Sequence, residues 1–486
     1  MTEATGRRIL REGHNCATIA RADKLAVIVD ASDYFRHLRS AILQAKRHVL
    51  LIGWDFDSRI KMVPGEKTEG PNRVGRFLNW IIRRRPDLHV RILKWDLGVI
   101  QALGRGSTPI FILDWMTSHR IKFKLDSAHP LGAAHHQKIA IVDDVLAFCG
   151  GIDLTADRWD TREHRDKEPR RRRPTTRRHY GPWHDASTCV TGPVAAAMAD
   201  VARHRWKRAT GEDLAPPPPC DPVWPEGLSP SMENVDVAIS RSMPEYDGDA
   251  GVYEIEALYL DAIAAAKDRI YIESQYFASR KIAEAMATRL AEPDGPEIVL
   301  VNPKTAQGWL EEEVMGASRV QLLRLIREAD VYNRFRIYHP VTEGGTPIYV
   351  HAKVLVVDET FLRVGSSNLN NRSMGYDTEC DLSVEATDKT TANRIAAVRN
   401  DLLAEHLGTT EERVAETIAA RSSLIAAIED LRSTGRSLEP IEPPELNIVE
   451  EQVLAENDWL DPERATPTRL QRVWRKLLSF TNARAT

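Results

Sequence analysis

The sequence predicts an α/β protein made of two similar sandwich-like halves that face one shared cleft. Three observations lead there. First, His136, Lys138 and Asp143 stand in the same spacing as His351, Lys353 and Asp358; after six intervening residues each Asp is followed by a glycine-led turn, Gly150-Gly151 in one copy and Gly365-Ser366 in the other. Second, the similarity extends outward, since the helix-then-strand stretch 41–56 parallels 262–277. Third, a stiff Pro-rich segment, 215–222 continuing to Pro230, separates the copies and suits a connector better than a helix or a central strand.

Within each half the elements follow from residue pattern. Residues 41–52 and 262–272 read as an amphipathic helix running into an apolar strand, and 89–93 and 297–301 as a second strand. The runs 138–142 and 353–357 are short, β-branched and bounded by loop residues, so both read as buried strands. Alternation of helix and strand implies a largely parallel or mixed sheet. The expected organisation is a first half over 1–213, a linker over 214–230, a second half over 231–408 and a helical C-terminal extension over 409–486. In that extension 468–480 carries an apolar stripe, Leu470, Val473, Trp474, Leu477 and Leu478, which suits packing on the body of the protein.

Bulk properties fit a soluble chain of 486 residues, with 42% hydrophobic and 28% charged residues, large enough for two buried cores. A net charge of −4 offers no global electrostatic case for nucleic acid, which is not expected as a partner. No apolar run reaches 18 residues, and residues 1–8 precede no signal-like core. Five scattered cysteines suit reduced thiols, so a cytoplasmic location with at most peripheral membrane contact is expected.

The repeated motif carries chemistry. Side chains at i and i+2 share a strand face, so each His and Lys project together while the Asp has the opposite parity and braces the strand end. Two imidazoles beside two fixed positive charges can grip one phosphodiester from both sides. The glycines, Gly151 among them, let backbone amides approach a phosphate, and Ser366 and Asn368 add donors. Lys138 and Lys353 suit the non-bridging oxygens. No cofactor or metal is expected: fixed lysine charges replace a cation, and Lys138 beside His129, His135 and His136 would repel one.

These residues resemble the phospholipase D superfamily, whose defining element is this motif present twice. The resemblance covers roughly residues 20–400, and 150–154, 182–185 and 365–373 are similar to its membrane-lipid branch and to the compact catalytic unit of many bacterial members. It implies a phospholipase D that releases phosphatidate and a head-group alcohol from glycerophospholipid through a phosphohistidine, with transphosphatidylation beside hydrolysis. A cardiolipin synthase-like phosphatidyltransferase is the near alternative, and a nucleic-acid phosphodiesterase the alternative of another class. The resemblance makes His136 the nucleophile and His351 the acid/base. It places Asp185 and Glu379 as their carboxylate partners, each serving the opposite half, and counts Asp143 and Asp358 with the catalytic motif as braces. A monomer is expected. The run 170–178 holds Arg170, Arg171, Arg172, Arg173, Arg177 and Arg178 with no acid and reads as a surface for anionic head groups.

Overall fold

The computed structural model describes residues 8–96, 119–305 and 309–442; the apolar stripe of 468–480 lies outside them. The first half contributes β1 (Thr18–Val29), β2 (His48–Gly53), β3 (His89–Trp95), β4 (Ile121–Asp126), β5 (Ile139–Val142), β6 (Leu146–Gly150), β7 (Trp183–His184) and β8 (Ala186–Thr191). The rest of the chain contributes β9 (Met232–Met243), β10 (Val252–Tyr253), β11 (Arg269–Glu273), β12 (Glu297–Val301), β13 (Phe335–Val341), β14 (Tyr349–Val350), β15 (Val354–Val357), β16 (Phe361–Gly365), β17 (Glu379–Glu385) and β18 (Ser437–Pro440). Residues 212–230 hold neither helix nor strand.

The strand order shows the duplication directly. From the antiparallel pair β1 and β9 at the centre, one side runs β8, β6, β5, β2, β3, β4 and the other β17, β16, β15, β11, β12, β13. Each side changes from antiparallel to parallel at the same place, with β2, β3 and β4 parallel and β11, β12 and β13 parallel. The pseudo-twofold axis therefore passes between β1 and β9, and the two sheets expected from sequence are one continuous sheet of 16 strands. In β1 the charges Arg21, Asp23 and Lys24 interrupt the apolar pattern, which hides from sequence a strand whose Ala22, Leu25, Ala26 and Ile28 are buried.

Burial follows strand parity. Ile139 and Ile141 of β5, with Val354 and Val356 of β15, lie in a core common to both halves. Ala140 and Val142 face a second core under the helices Ala31–Gln44 and Val74–Arg84. Leu355 and Val357 face a third, under the helices Glu254–Ala265 and Arg280–Leu290. The expectation of two cores is thus corrected to three. Residues 409–442 are also less separate than expected. Leu424 and Ile428 of the helix Leu424–Leu431 pack into the common core, and β18 pairs with β13. Among the described residues no helix is long and apolar enough to cross a membrane.

Candidate active site

Two short cross-half pairings build the site. Strand β7 pairs in parallel with β14, and the His351 amide donates to the His184 carbonyl at 2.7 Å, which sets Asp185 beside His351. On the other side a parallel bridge joins His135 to Thr378, and the His136 amide donates to the Thr378 carbonyl at 2.9 Å, which sets Glu379 beside His136. The result is two crossed pairs. His136 Nδ1 lies 2.9 Å from both oxygens of Glu379, and His351 Nδ1 lies 2.7 Å from Asp185 Oδ2. Both carboxylates are fully buried, so each imidazole is held by one nitrogen while its Nε2 is left for a ligand.

The lysines differ more than the motif predicts. Lys138 Nζ donates to the His136 carbonyl at 3.0 Å and forms an ion pair with Asp153 Oδ2 at 3.2 Å. Lys353 Nζ donates to the His351 carbonyl and to Gln275 Oε1 at 3.4 Å, and among the described residues no acid forms an ion pair with it. Asp153 and Asn368 hold corresponding places after the two glycine turns, and only the first carries charge.

Electrostatics follow from burial. It holds the His136 imidazole well below its ordinary range, with Lys138 and Lys353 adding to the effect. His351 is held down likewise by burial and by Lys353, Arg158 and Lys138. Each imidazole thus feels lysines of both halves. Burial pushes the Glu379 carboxyl up to about 8 and the Asp185 carboxyl up to about 7. It brings the Lys353 ammonium down to about 7, with Asp185 opposing and Lys138 assisting. Lys353, buried and without an ion-paired acid among the described residues, is a positive charge that a phosphate can meet.

Several predicted ligands are occupied otherwise. The Gly151 amide donates to the Ala186 carbonyl at 2.8 Å and so is not free for a phosphate; glycine is needed there because the Asp185 carboxylate occupies the space of a Cβ. The Ser366 hydroxyl donates to Glu379 and accepts the Cys380 amide at 3.0 Å, so it positions the carboxylate. Asn368 is buried with an Oδ1 that has no hydrogen-bond partner, consistent with a side chain reserved for a ligand. Asp143 and Asp358 stand away from the imidazoles. Asp143 accepts the amides of Lys46, Arg47 and His48 at 2.6–2.7 Å, and Asp358 those of Lys267, Asp268 and Arg269 at 2.9–3.1 Å. They lock the turns that enter β2 and β11. His129 bonds Asp96 and His135 bonds Thr378, so neither faces the cleft as a ligand with His136.

Sequence reading gave no role to five contributors. Gln275 meets Lys353, and Ser373 donates to Glu379 Oε1 at 2.7 Å. Trp183 stacks on Tyr349 at 4.6 Å and lies 5.2 Å from the His351 ring, with the Arg158 guanidinium 4.3 Å over its face. Most of their partners are distant in sequence; the stretch 182–185 that holds Trp183 and the loop of Ser373 gave a signal through the resemblance, but not these contacts. The basic run is also corrected. Arg171 is buried and pairs with Asp160 at 2.8 Å, so it cannot reach a membrane, while Arg170 pairs with Glu168 and Arg173 with Asp157. The acids lie outside the run, where its composition could not reveal them. Arg172, Arg177 and Arg178 remain exposed.

Comparison with known proteins agrees with this geometry. The family model described as cardiolipin synthase, PLD-like domain, matches residues 259–401, which include the second motif and Glu379. Phospholipase D A of Dictyostelium discoideum is 24% identical over 439 residues, 74% of this chain and 32% of that protein. Cardiolipin synthase A of Pseudomonas fluorescens is 27% identical over 260 residues, 53% of this chain and 43% of that protein. The chain thus spans about a third to less than half of these relatives. The crystal structure of phosphatidylserine synthase from Haemophilus influenzae superposes with a TM-score of 0.53 at 10% identity, over 96% of this chain and 95% of that one, and shares the fold. With two complete motifs crossed at one site, the chain is similar to the phospholipase D superfamily in motif, sequence and fold.

Proposed function

We propose that the protein is a phospholipase D, cleaving the distal phosphodiester of a glycerophospholipid to give phosphatidate and the head-group alcohol. The observation that carries this reading is the pair of crossed imidazole–carboxylate contacts, His136 with Glu379 and His351 with Asp185, beside Lys138 and Lys353. A neutral His136 attacks phosphorus through Nε2, and Glu379 supports the positive charge that develops on the ring. The bond to the head-group oxygen breaks as His351, which enters this step as an imidazolium supported by Asp185 and by the incoming phosphate charge, delivers its proton to that oxygen. His351 then takes a proton from water, whose oxygen attacks phosphorus and frees His136. Lys353 and Lys138 hold the non-bridging oxygens, where charge grows in the transition state, and the Asn368 amide adds a donor.

Phosphatidyl transfer to a lipid alcohol uses the same phosphohistidine, and the match to a family model described as cardiolipin synthase favours testing it as a second reading. Exposed Arg172, Arg177 and Arg178 are proposed to meet anionic head groups, each contributing on the order of 1 kcal/mol near the surface. The test is product analysis of the purified chain on mixed phospholipid vesicles, with and without phosphatidylglycerol or glycerol, alongside His136→Ala. Phosphatidate made by wild type and not by the variant supports the lipase; cardiolipin as main product supports the transferase. Absence of lipid turnover overturns both.

A further inference from the structure

Behind the His351–Asp185 pair lies a second cluster of ionisable side chains that the proposed chemistry does not use. Asp30, His164, His184 and Glu405 are buried, with donor atoms that all fall within 4.8 Å of one another. His164 Nε2 is 3.0 Å from Glu405 Oε1 and 3.3 Å from Asp30 Oδ2. His184 Nδ1 is 2.8 Å from Glu405 Oε1 and 3.4 Å from Asp30 Oδ1. Four N and O ligands about 2.0–2.1 Å from a tetrahedral ion stand about 3.3 Å apart, close to this spacing. The geometry points to a structural zinc site formed by Asp30, His164, His184 and Glu405.

Three further observations agree. Asp30 Oδ2 is buried and accepts no hydrogen bond, its contact with His164 Nε2 at 3.3 Å falling outside hydrogen-bond geometry, which leaves the oxygen open to a closer cation. Asp30 also holds φ 66°, left-handed backbone that a non-glycine residue keeps only where its surroundings impose it. Finally, each imidazole is oriented from its outer nitrogen by a carboxylate: His164 Nδ1 meets Asp160 Oδ2 at 3.0 Å, and His184 Nε2 meets Glu273 Oε2 at 2.8 Å. Carboxylate support of this kind is the common outer shell of a metal-bound imidazole. An all-N/O set of two histidines and two carboxylates suits zinc; Glu405 pairs with the Arg162 guanidinium through Oε2 and leaves Oε1 for the ion.

Four protein ligands leave no open position, so the ion acts as a staple. It joins Asp30, His164 and His184 of the first half to Glu405 of the second. Asp30 Oδ1 accepts the Asp185 amide at 3.1 Å and the His184 carbonyl accepts the His351 amide at 2.7 Å, so the ion also steadies both members of one catalytic pair.

The test is elemental analysis of the full chain, without a polyhistidine tag, refolded with zinc and then freed of loose metal by gel filtration. About one zinc per chain is expected, with an absorption-edge spectrum of four N/O neighbours at about 2.0–2.1 Å and no sulfur. Prolonged chelation should lower the thermal midpoint and zinc should restore it. His164→Ala and Asp30→Asn should each lose the metal; if neither folds, the wild-type spectrum and the chelation experiment still decide. A folded chain without zinc after such loading, or zinc with sulfur neighbours or unaffected by chelation, overturns the site and leaves two protons as the cations that hold Asp30 and Glu405.

Discussion

His136 Nδ1 lies 2.9 Å from both carboxylate oxygens of Glu379, a residue 243 positions away in the other half of the chain. Because His351 and Asp185 make the reciprocal contact, neither motif is complete without the other half. Glu379→Gln preserves shape and removes the charge that supports the His136 imidazolium. Its kcat should fall by about 10³–10⁴-fold, the scale seen when a catalytic imidazole loses its carboxylate, with KM little changed. Steady-state kinetics on a soluble short-chain phospholipid check this.

The same substitution should act oppositely on stability. Glu379 has its folded-state value raised from 4.5 to about 8, so its contribution to stability is present below pH 4.5 and is lost as pH rises through about 8. A neutral Gln avoids the cost of burying charge. The thermal midpoint of Glu379→Gln relative to wild type should therefore rise as pH goes from about 4.5 to about 8 and level off above that, and calorimetry across pH checks the sign.

Lys353 and Lys138 should separate in anion binding. Lys353 forms no ion pair among the described residues and is depressed to about 7, whereas Lys138 already pairs with Asp153. An oxyanion such as tungstate favours the protonated ammonium, so affinity should rise as pH falls through about 7, with proton uptake on binding. Lys353→Met should weaken binding more than Lys138→Met. Titration calorimetry in two buffers of different ionisation enthalpy reads both effects.

Asp143 and Asp358 should behave as braces. Each carboxylate holds three consecutive amides at a strand entry. Asp143→Ala should cost about 2–4 kcal/mol of unfolding free energy while the folded fraction keeps most of its kcat. Urea unfolding paired with active-site titration separates the two.

The arginine run should divide along burial. Arg171→Ala removes the guanidinium partner of buried Asp160, leaving it His164 and the Trp183 amide, and should cost up to about 3–5 kcal/mol. Replacing Arg172, Arg177 and Arg178 together by Ala should leave the thermal midpoint unchanged and weaken salt-sensitive binding to anionic vesicles, read by sedimentation.

What was legible in the sequence was local or repeated. The motif spacing and the strands of 138–142 and 353–357 follow from residue pattern, and the duplication implied a dyad. The central β1 and β9 pair was hidden because Arg21, Asp23 and Lys24 break the apolar pattern of β1. Ser366 and Gly151 were read as phosphate ligands because residue type does not reveal that Glu379 and Ala186 already occupy their polar groups. Arg171 shows the same limit, since Asp160 lies outside the run that was read for charge.

The most direct test of the two-histidine account is to trap the intermediate. Wild-type protein turning over a short-chain phosphatidylcholine, quenched in alkaline denaturant and digested, should yield a phosphatidyl adduct on the peptide that carries His136 and on no other. An adduct on His351, or turnover with no histidine adduct at any time point, would contradict the assignment of His136 as nucleophile.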